Sequence, residues 1–335
     1  MSEVHLEPVD DLAAWTGPEL AARDDWIHRL SAGEIAELDT ALAGVAGREA
    51  VSVGLSEFPL PTLSARLAQI RNVIDQGLGV TVIKGLPVER YTEQDAAMAL
   101  WGLGLHVGVP QPQDAAGALL HHVRDTGARV ETDPNIRIYQ TNGEQSFHND
   151  GGDLVMLLCR RTAKTGGRSR MAGAPALFNL LLSENPEFAK ALQAPFHFDA
   201  RGQSLPGRPA TQIVPVFTWH DGRVSTLYKR PYITLAQRFN EIPRLTELQT
   251  AALDRLDALC EDEAVHHAFY LQPGDIQIAN NFAVLHARDP FDDFDEPDQK
   301  RHMIRLWLGL PEGRTLPECY RETREFGPLF DLRGQ

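Results

Sequence analysis

A histidine and an aspartate stand two positions apart in the stretch QSFHNDGGD, as His148 and Asp150. Residues i and i+2 of an extended strand point to the same side, so both side chains can face one divalent metal ion. An imidazole nitrogen and a carboxylate oxygen are both common metal ligands. The same triplet also fits a strand that simply ends in a glycine turn, so a third ligand elsewhere in the chain has to decide between the two interpretations.

His286 stands out as that third ligand among the 12 histidines. It follows a strand-like run, a turn and an apolar run in GDIQIANNFAVLHAR, which gives the chain a route back towards His148. Two histidines and one carboxylate form the facial triad of non-haem Fe(II) oxygenases and leave metal positions open for reactants. Taken alone, His286 is equally compatible with an ordinary core or surface histidine.

Two arginines share one face of the segment RHMIRLWLGL. Strand periodicity places Arg301 and Arg305 on the same side and His302 on the other. An unpaired charge on a buried strand is costly, whereas a guanidinium binds a carboxylate through two parallel hydrogen bonds. The pattern therefore indicates either an anionic ligand inside the protein or ion pairs with nearby Asp and Glu side chains.

The elements that position these residues are helical first and strand-rich later. Capping residues and helical periodicity predict helices after Ser31, over 62–76, after Thr92, near 175–193 and over 246–261. Short β-branched or alternating runs predict strands in GVTVIKGL, IRIYQ, LVMLLC, QIVPVFTW, VSTLYKRPYI, AFYLQ, DIQIAN and HMIRLWLGL. Many short strands with turns between them suggest a sandwich or a jelly roll, and we expect an α+β fold with a jelly-roll (double-stranded β-helix) core and flanking helices. Because no linker is evident, we expect one domain over 1–335, with 1–78 packed on it as a helical N-terminal extension.

The segment 108–135 has little periodicity and many turn residues, and loops of this length are usually functional or disordered. We therefore treat it as a candidate lid. Its histidines, His121 and His122, are expected to be exposed to solvent and not to bind metal. The same is expected of His266 and His267.

Composition excludes several classes of function. The formal net charge is −14, which disfavours a nucleic-acid partner. The 3 cysteines are far apart and lack a CxxC pair, which argues against a disulfide framework or a thiolate zinc site. No apolar stretch reaches the roughly 20 residues that span a bilayer, and the N-terminus lacks a signal-peptide pattern. We expect a cytoplasmic protein that binds a small molecule and no membrane, and a homo-oligomer is compatible with the sequence.

Four segments in this order resemble the taurine dioxygenase (TauD/TfdA) family of Fe(II)- and 2-oxoglutarate-dependent dioxygenases: HND at 148–150, TGGRSR, GDIQIANNFAVLHAR and RHMIRLWL. The resemblance runs from about GVTVIKGL to RLWLGLP, some two-thirds of the chain. The interval from His286 to Arg305 is somewhat longer than the family's usual one. The acidic insertion DDFDEPDQK accounts for the difference as a turn before the arginine strand.

The resemblance implies that His148, Asp150 and His286 bind iron. It further implies that Arg305 pairs with the distal carboxylate of 2-oxoglutarate and that Arg301 lies near the end that chelates the iron.

Three other positions compare with the family less directly. Ser169 stands where the family has a threonine that contacts the cosubstrate, and it keeps the hydroxyl. Arg168 replaces an acidic residue of the family's motif, and what this replacement changes is not determined by the sequence. Asn281 matches an asparagine common ahead of the distal histidine, for which a structural role is expected.

The reaction implied by the resemblance is the oxidation of an unactivated C–H bond. Fe(II), 2-oxoglutarate and dioxygen are the cofactor and cosubstrates, and succinate and carbon dioxide are formed. Because Asp150 is retained, halogenation is not expected. Hydroxylation is expected, and a desaturation or cyclisation from the same radical stays open. The substrate is expected to be a small molecule that carries a carboxylate or an amine.

Two segments supply candidate substrate-binding residues. They are Tyr139, Asn142 and Gln145 from IYQTNGEQSF, and Tyr228, Arg230 and Tyr232 from LYKRPYI. The second set would share one face of a strand and present aromatic rings and a cation to an anion. The alternative is that the aromatic residues belong to the core and that Arg230 is salt-bridged or on the surface.

Two other functions stay open at this stage. A cupin-type metal enzyme would use the same three ligands but would need neither 2-oxoglutarate nor Arg305. A non-catalytic metal-binding jelly-roll protein would bind its ligand without forming succinate.

Overall fold

The computed structural model describes residues 4–128, 136, 140–204 and 209–334. The helices are α1 (Gly17–Ala21), α2 (Ala32–Gly44), α3 (Leu63–Gln76), α4 (Glu93–Val107), α5 (Ala174–Glu184), α6 (Pro186–Leu192), α7 (Arg230–Ala236), α8 (Glu247–Glu261) and α9 (Gly327–Arg333). The strands are β1 (Ile27–Arg29), β2 (Val80–Lys84), β3 (Val109–Gln111), β4 (Leu120–Val123), β5 (Gln145–His148), β6 (Leu154–Arg161), β7 (Thr165–Gly166), β8 (Ser169–Gly173), β9 (Pro195–Asp199), β10 (Thr211–Pro215), β11 (Phe217–His220), β12 (Arg223–Thr226), β13 (His267–Phe269), β14 (Ile276–Asn280), β15 (Val284–Arg288), β16 (Phe291–Asp292) and β17 (His302–Gly309).

The predicted helix starts are confirmed. Ser31, Thr92 and Thr246 are the N-cap residues of α2, α4 and α8, and each accepts a hydrogen bond from the backbone N–H three residues on. Such caps satisfy backbone donors that have no partner within the helix. The helix predicted near 175–193 is instead two helices, α5 and α6, because Pro186 cannot donate a backbone hydrogen bond and starts a new helix after Asn185.

Two predicted strands are wrong in part. VSTLYKRPYI is a strand only to Thr226, since α7 begins at Arg230 and has Pro231 in its first turn, where a missing N–H costs nothing. QIVPVFTW forms two strands, β10 and β11, interrupted at Val216. The predicted strand IRIYQ lies largely outside the described residues.

The larger of the two main sheets has seven strands in the order β1-β2-β14-β6-β17-β3, and β4 also pairs with β17. All of its pairings are antiparallel except that of β1 with β2. Strands β3 and β4 come from the segment 108–135. Two parts of the candidate lid, 109–111 and 120–123, are therefore held in this sheet, while 129–135 lies outside the described residues.

The smaller main sheet has the order β13-β8-β15-β5. Within it, His286 on β15 stands directly opposite His148 on β5 and opposite Met171 on β8. The two predicted histidine ligands therefore come from neighbouring strands.

The larger sheet is covered on both faces. One face contributes Met156 and Leu306 to a core that also contains residues of α2, α3 and α4. The opposite face contributes Val155 and Met303 to a core shared with Met171 of the smaller sheet. The result is a mixed α/β architecture in which two sheets face each other and helices cover the outside of the larger one. In the described part of the chain, no helix is both long enough and apolar enough to cross a membrane.

Candidate metal centre

His148, Asp150 and His286 converge between the two sheets. One candidate ligand atom from each lies within 4.8 Å of the others. The rings of His148 and His286 have centroids 4.3 Å apart, as expected for residues paired across two strands. Asp150 lies just beyond the end of β5 and, like His286, is buried. The geometry is that of two imidazoles and one carboxylate around a common point.

A hydrogen bond to the backbone orients His148. Its Nδ1 lies 2.9 Å from the carbonyl oxygen of Ser146, so this nitrogen carries the proton and donates it to the carbonyl. Nε2 then keeps its lone pair and lies 2.8 Å from the side-chain amide nitrogen of Gln145. Histidines that bind metals commonly donate their second ring N–H to a carbonyl in this way.

His286 has a polar atom without a partner. Its Nδ1 is buried and makes no hydrogen bond within the described residues, which is costly in a protein interior. Burial lowers the pKa of His286, and it lowers the pKa of His148 to about 3. Both rings are therefore neutral near pH 7, and the neutral imidazole is the form that binds a metal ion. The donor set of two neutral imidazoles and one carboxylate fits a bound divalent cation, with His286 Nε2 3.8 Å from Asp150 Oδ2.

Asp150 is held ionised by Arg305. Burial opposes its ionisation, but the nearby guanidinium outweighs that effect and lowers the pKa of the Asp150 carboxyl. Nη1 of Arg305 lies 3.1 Å from each carboxylate oxygen of Asp150. The Arg305 Nε also donates to Gln113 Oε1 at 2.8 Å. Gln113 could not be singled out from the sequence, because nothing in PQPQ indicates a contact with Arg305, almost two hundred residues away.

Two asparagines hold the backbone that carries Asp150. Asn281 accepts a hydrogen bond from the Asp150 N–H at 3.1 Å and donates to the carbonyl of Gly151 at 2.8 Å. Asn149 donates to the carbonyls of Thr226 and Asn281, each at 2.6 Å. These contacts agree with the structural role expected for Asn281. Asn149, the middle residue of HND, was not singled out from the sequence.

The glycines after Asp150 allow the chain to pass close to β17. Gly152 has a φ of 71°, a conformation that residues with a side chain rarely adopt. A Cβ atom at this position would lie 2.7 Å from the carbonyl oxygen of Leu308. The turn that positions Asp150 therefore depends on glycine for both conformation and space.

Gly152→Ala is expected to lower the free energy of unfolding by about 2–4 kcal/mol, since strained backbone and a steric clash add together. Denaturation in urea would measure the loss. Gly222→Ala is the matched control, because Gly222 has a φ of 75° but nothing within 4 Å of the added Cβ. This control should lower the free energy of unfolding by about 1–2 kcal/mol, which is the cost of the strained backbone alone. Equal losses in the two variants would contradict the importance of the Leu308 contact.

Three buried arginines line the cavity around His148, Asp150 and His286: Arg288, Arg301 and Arg305. Arg301 is 5% exposed, and its Nη1 has no hydrogen-bond partner among the described residues. Arg288 donates to the carbonyls of Thr141 and Gly143, and burial lowers its pKa to about 9. The cavity therefore has an excess of positive charge over the single carboxylate of Asp150.

The candidates from IYQTNGEQSF are distributed as follows. Gln145 lines the cavity, as does Ser169 of the predicted cosubstrate site. The Asn142 amide donates to the carbonyl of Phe291 at 3.2 Å, and Tyr139 lies outside the described residues. Of this set, only Gln145 is placed beside the metal centre.

The candidates from LYKRPYI do not share a strand face, because that segment turns into α7. Tyr228 is fully buried and donates its hydroxyl hydrogen to Asp257. Arg230 forms ion pairs with Asp254 at 2.6 Å and Asp257 at 2.8 Å. None of these residues, nor Tyr232, is among those that line the cavity. Their contacts match the alternative of a core aromatic and a salt-bridged arginine.

Lys229, in the same segment, lies much nearer the metal centre and was missed. Its backbone pairs with that of His148, and its Nζ lies 2.6 Å from Glu325 Oε1 in a buried ion pair. Although burial opposes ionisation, Lys229 and Arg324 lower the pKa of Glu325. Lys229 lies in a run that the sequence predicts as an ordinary strand, so no sequence pattern marked it as a neighbour of the candidate metal centre.

The expected exposure of the paired histidines is wrong at all four positions, since His267 is also partly buried. His266 is 5% exposed and its Nδ1 contacts the Cys260 carbonyl. His121 is 10% exposed in its side chain and lies 3.0 Å from Asp114. His122 is partly buried and contacts His302. Other parts of the fold cover the strand or helix end at which each of these histidines lies. A local sequence pattern does not predict such coverage.

Comparisons with known proteins agree on one family. The model of the family described as "Taurine catabolism dioxygenase TauD, TfdA family" matches residues 39–307. FR-33289 synthase of Streptomyces rubellomurinus is 28% identical over 321 residues, which is 95% of each chain. A solved asparagine oxygenase in complex with Fe(II), 2S,3S-3-hydroxyasparagine and succinate has a TM-score of 0.65 at 21% identity, covering 85% of this chain and 94% of that one. The non-haem iron oxygenase OrfP in complex with Fe and alpha-ketoglutaric acid has a TM-score of 0.62 at 15% identity, covering 84% and 94%. At these identities the two solved structures show a shared fold.

Proposed function

Because the chain belongs to the TauD, TfdA family of dioxygenases, and is therefore an iron- and 2-oxoglutarate-dependent oxidoreductase, we propose that His148, Asp150 and His286 hold its iron. The observation that carries this proposal is the convergence of the three ligand atoms within 4.8 Å, in a cavity that arginines also line. With 2-oxoglutarate and dioxygen, the bound iron supplies the oxidising power for C–H hydroxylation, and succinate and carbon dioxide are formed.

The chain's own residues prepare this site in two ways. Ser146 fixes the protonated nitrogen of His148, so that the other nitrogen faces the metal. Asn281 accepts a hydrogen bond from the Asp150 N–H, and Asn149 in turn donates to the Asn281 carbonyl. Ligands fixed in this way lose little conformational freedom when the ion binds.

We assign the distal carboxylate of 2-oxoglutarate to Arg301, which reverses the sequence-based assignment to Arg305. Nη1 of Arg301 is buried without a partner among the described residues, and a carboxylate would satisfy it. Arg305 is already bonded to Asp150 and Gln113. Arg301 also lies beside the chain just before β8, because a Cβ at Gly167 would be 3.4 Å from its Nε, and it lines the same cavity as Ser169.

The substrate proposed for this enzyme is a small molecule that carries a carboxylate, such as an amino acid. Three arginines and one aspartate give the cavity a positive charge inside a protein of net charge −14, and such a cavity favours anions. A cation bound to Asp150 would share the carboxylate charge. The Asp150 carboxylate would then neutralise less of the Arg305 charge, and Arg305 would attract a second anion besides 2-oxoglutarate.

The two facing sheets are proposed to form a double-stranded β-helix within one domain over 1–335. In support, α2 and α3 contribute to the same core as the larger sheet, as expected if 1–78 packs on the rest. The cytoplasmic location and a homo-oligomeric state stay predictions from the sequence.

The test is anaerobic addition of Fe(II) and 2-oxoglutarate to the metal-free protein. A visible charge-transfer band that requires both additions is expected, followed by succinate formation when dioxygen is admitted. Iron binding without a band would contradict 2-oxoglutarate chemistry and favour a cupin-type metal enzyme. A band without succinate, over a screen of carboxylate substrates, would favour a non-catalytic binding protein.

A further inference from the structure

A second group of two histidines and one carboxylate lies on the opposite face of the larger sheet. His302 is the first residue of β17, His122 is on β4, and Glu93 is the first residue of α4. One candidate ligand atom from each lies within 4.8 Å of the others. This face is the one covered by helices, because His122 pairs with Ile304, which belongs to the core shared with α4. The cluster is therefore separate from the iron site.

The spacing of its atoms suits a small cation. His122 Nδ1 lies 2.8 Å from His302 Nε2 and 3.5 Å from Glu93 Oε1. His302 Nδ1 lies 3.7 Å from Glu93 Oε2. A tetrahedral zinc ion with ligands at about 2.0–2.1 Å holds its donor atoms about 3.3 Å apart. The 3.5 Å between His122 Nδ1 and Glu93 Oε1 is close to that value. His302 can offer one ring nitrogen to the ion, and its Nδ1 is the one on the side of Glu93.

His302 has an unsatisfied nitrogen that faces this cluster. The residue is 0% exposed, and its Nδ1 makes no hydrogen bond within the described residues. A buried polar atom without a partner is uncommon and calls for an explanation. The hydrogen bond between the two histidines uses His302 Nε2 and leaves Nδ1 without a partner in the described part of the chain. A metal ion beside Glu93 would bind the lone pair of this Nδ1.

The surroundings keep the histidines neutral and the carboxylate in place. Burial, together with the charges of Arg124 and Arg161, lowers the pKa of His302 to about 3. Arg124 Nη2 lies 2.8 Å from Glu93 Oε1 and so orients the carboxylate from outside. The Glu93 side chain is 42% exposed, which gives an ion and a water ligand access from solvent.

We propose that Glu93, His122 and His302 form a second metal site, which binds a divalent transition-metal ion of the zinc type with water as the fourth ligand. The ion would join the start of α4 to the start of β17, next to Arg301. The site does not depend on the iron assignment, because the two groups share no residue.

Titration of the metal-free protein with Co²⁺ tests the proposal, with the bound ions counted after gel filtration. The wild type is expected to bind about two Co²⁺ ions per chain. His122→Asn and, separately, the double variant His148→Ala/His286→Ala should each bind about one. His121→Asn is the matched control on the same strand, since its side chain contacts Asp114 instead, and it should bind as the wild type does.

Two outcomes would overturn the second site. They are wild-type binding of a single ion that His148→Ala/His286→Ala no longer holds, and unchanged binding in His122→Asn. If His122→Asn does not fold, Glu93→Gln at the exposed start of α4 decides by the same count. The visible charge-transfer band that needs iron and 2-oxoglutarate should persist in His122→Asn and in Glu93→Gln. Failure of the iron assignment is distinguishable, because the double variant would then keep both ions.

Discussion

Replacing His286 by alanine is expected to lower iron-dependent succinate formation by more than about 100-fold. Loss of a mere supporting partner of a metal ligand already lowers metal affinity or activity about 10–100-fold, and a direct ligand should matter more. Fe(II) affinity and 2-oxoglutarate turnover would be measured together. Both should fall, because the proposed loss is in iron binding.

The matched control for this variant is His267→Ala. His267 lies in the same cross-strand row of the smaller sheet, since Met171 pairs with His286 on one side and with His267 on the other. Its ring packs on Phe269 with centroids 5.5 Å apart, away from the cavity. Iron binding should be unchanged in this control. Full turnover in His286→Ala would refute the ligand assignment.

Replacing Arg301 by alanine is expected to raise the 2-oxoglutarate concentration needed for half-maximal turnover by about 100-fold. Hydrogen bonds to charged groups contribute about 1.5–3 kcal/mol each. Loss of two such bonds at the lower end of this range costs about 3 kcal/mol, which corresponds to a factor of roughly 100. The same variant should need proportionally more 2-oxoglutarate to develop the charge-transfer band. Steady-state kinetics and anaerobic titration of the band would both measure the change.

Arg305→Ala separates the two assignments. If Arg301 binds the distal carboxylate, the Arg305 variant should affect iron binding and substrate affinity more than 2-oxoglutarate affinity, since it leaves Asp150 without its guanidinium partner. The opposite ranking would restore the sequence-based assignment. Arg168→Ala is a suitable control, because Arg168 is paired with Asp289 at 2.8 Å on the partly exposed rim.

The convergence of His148, Asp150 and His286 could be anticipated from the sequence because its signals are local. The two-residue spacing of His148 and Asp150 and the strand before His286 each indicate a side-chain direction without knowledge of the fold. The partner of Arg305 could not be anticipated in this way. Asp150 is 155 positions away in the sequence, and the contact exists only because β6 and β17 pair next to the turn that carries Asp150.

The wrong predictions have a common physical origin in short elements. Strands β3 and β4 have three and four residues, too few for alternation to be recognised among turn residues. Helix α7 has seven residues, and its RPYITLA sequence contains β-branched and aromatic residues that favour strands. Tertiary packing, more than local propensity, decides the structure of such segments.

The direct pairing of His148 with His286 has a consequence for the cohesion of the protein. Strand β5 is the last strand of its sheet. Among the described residues it pairs with β15 on one side and, at His148, with Lys229 on the other, and its register with β15 is irregular beyond His286. An ion held by both histidines would act as a cross-link across this pair, since a ligand bound only by the folded form stabilises it. Loss of iron would then expose an unpaired strand edge as well as stop catalysis, and such edges are where chains join and aggregate.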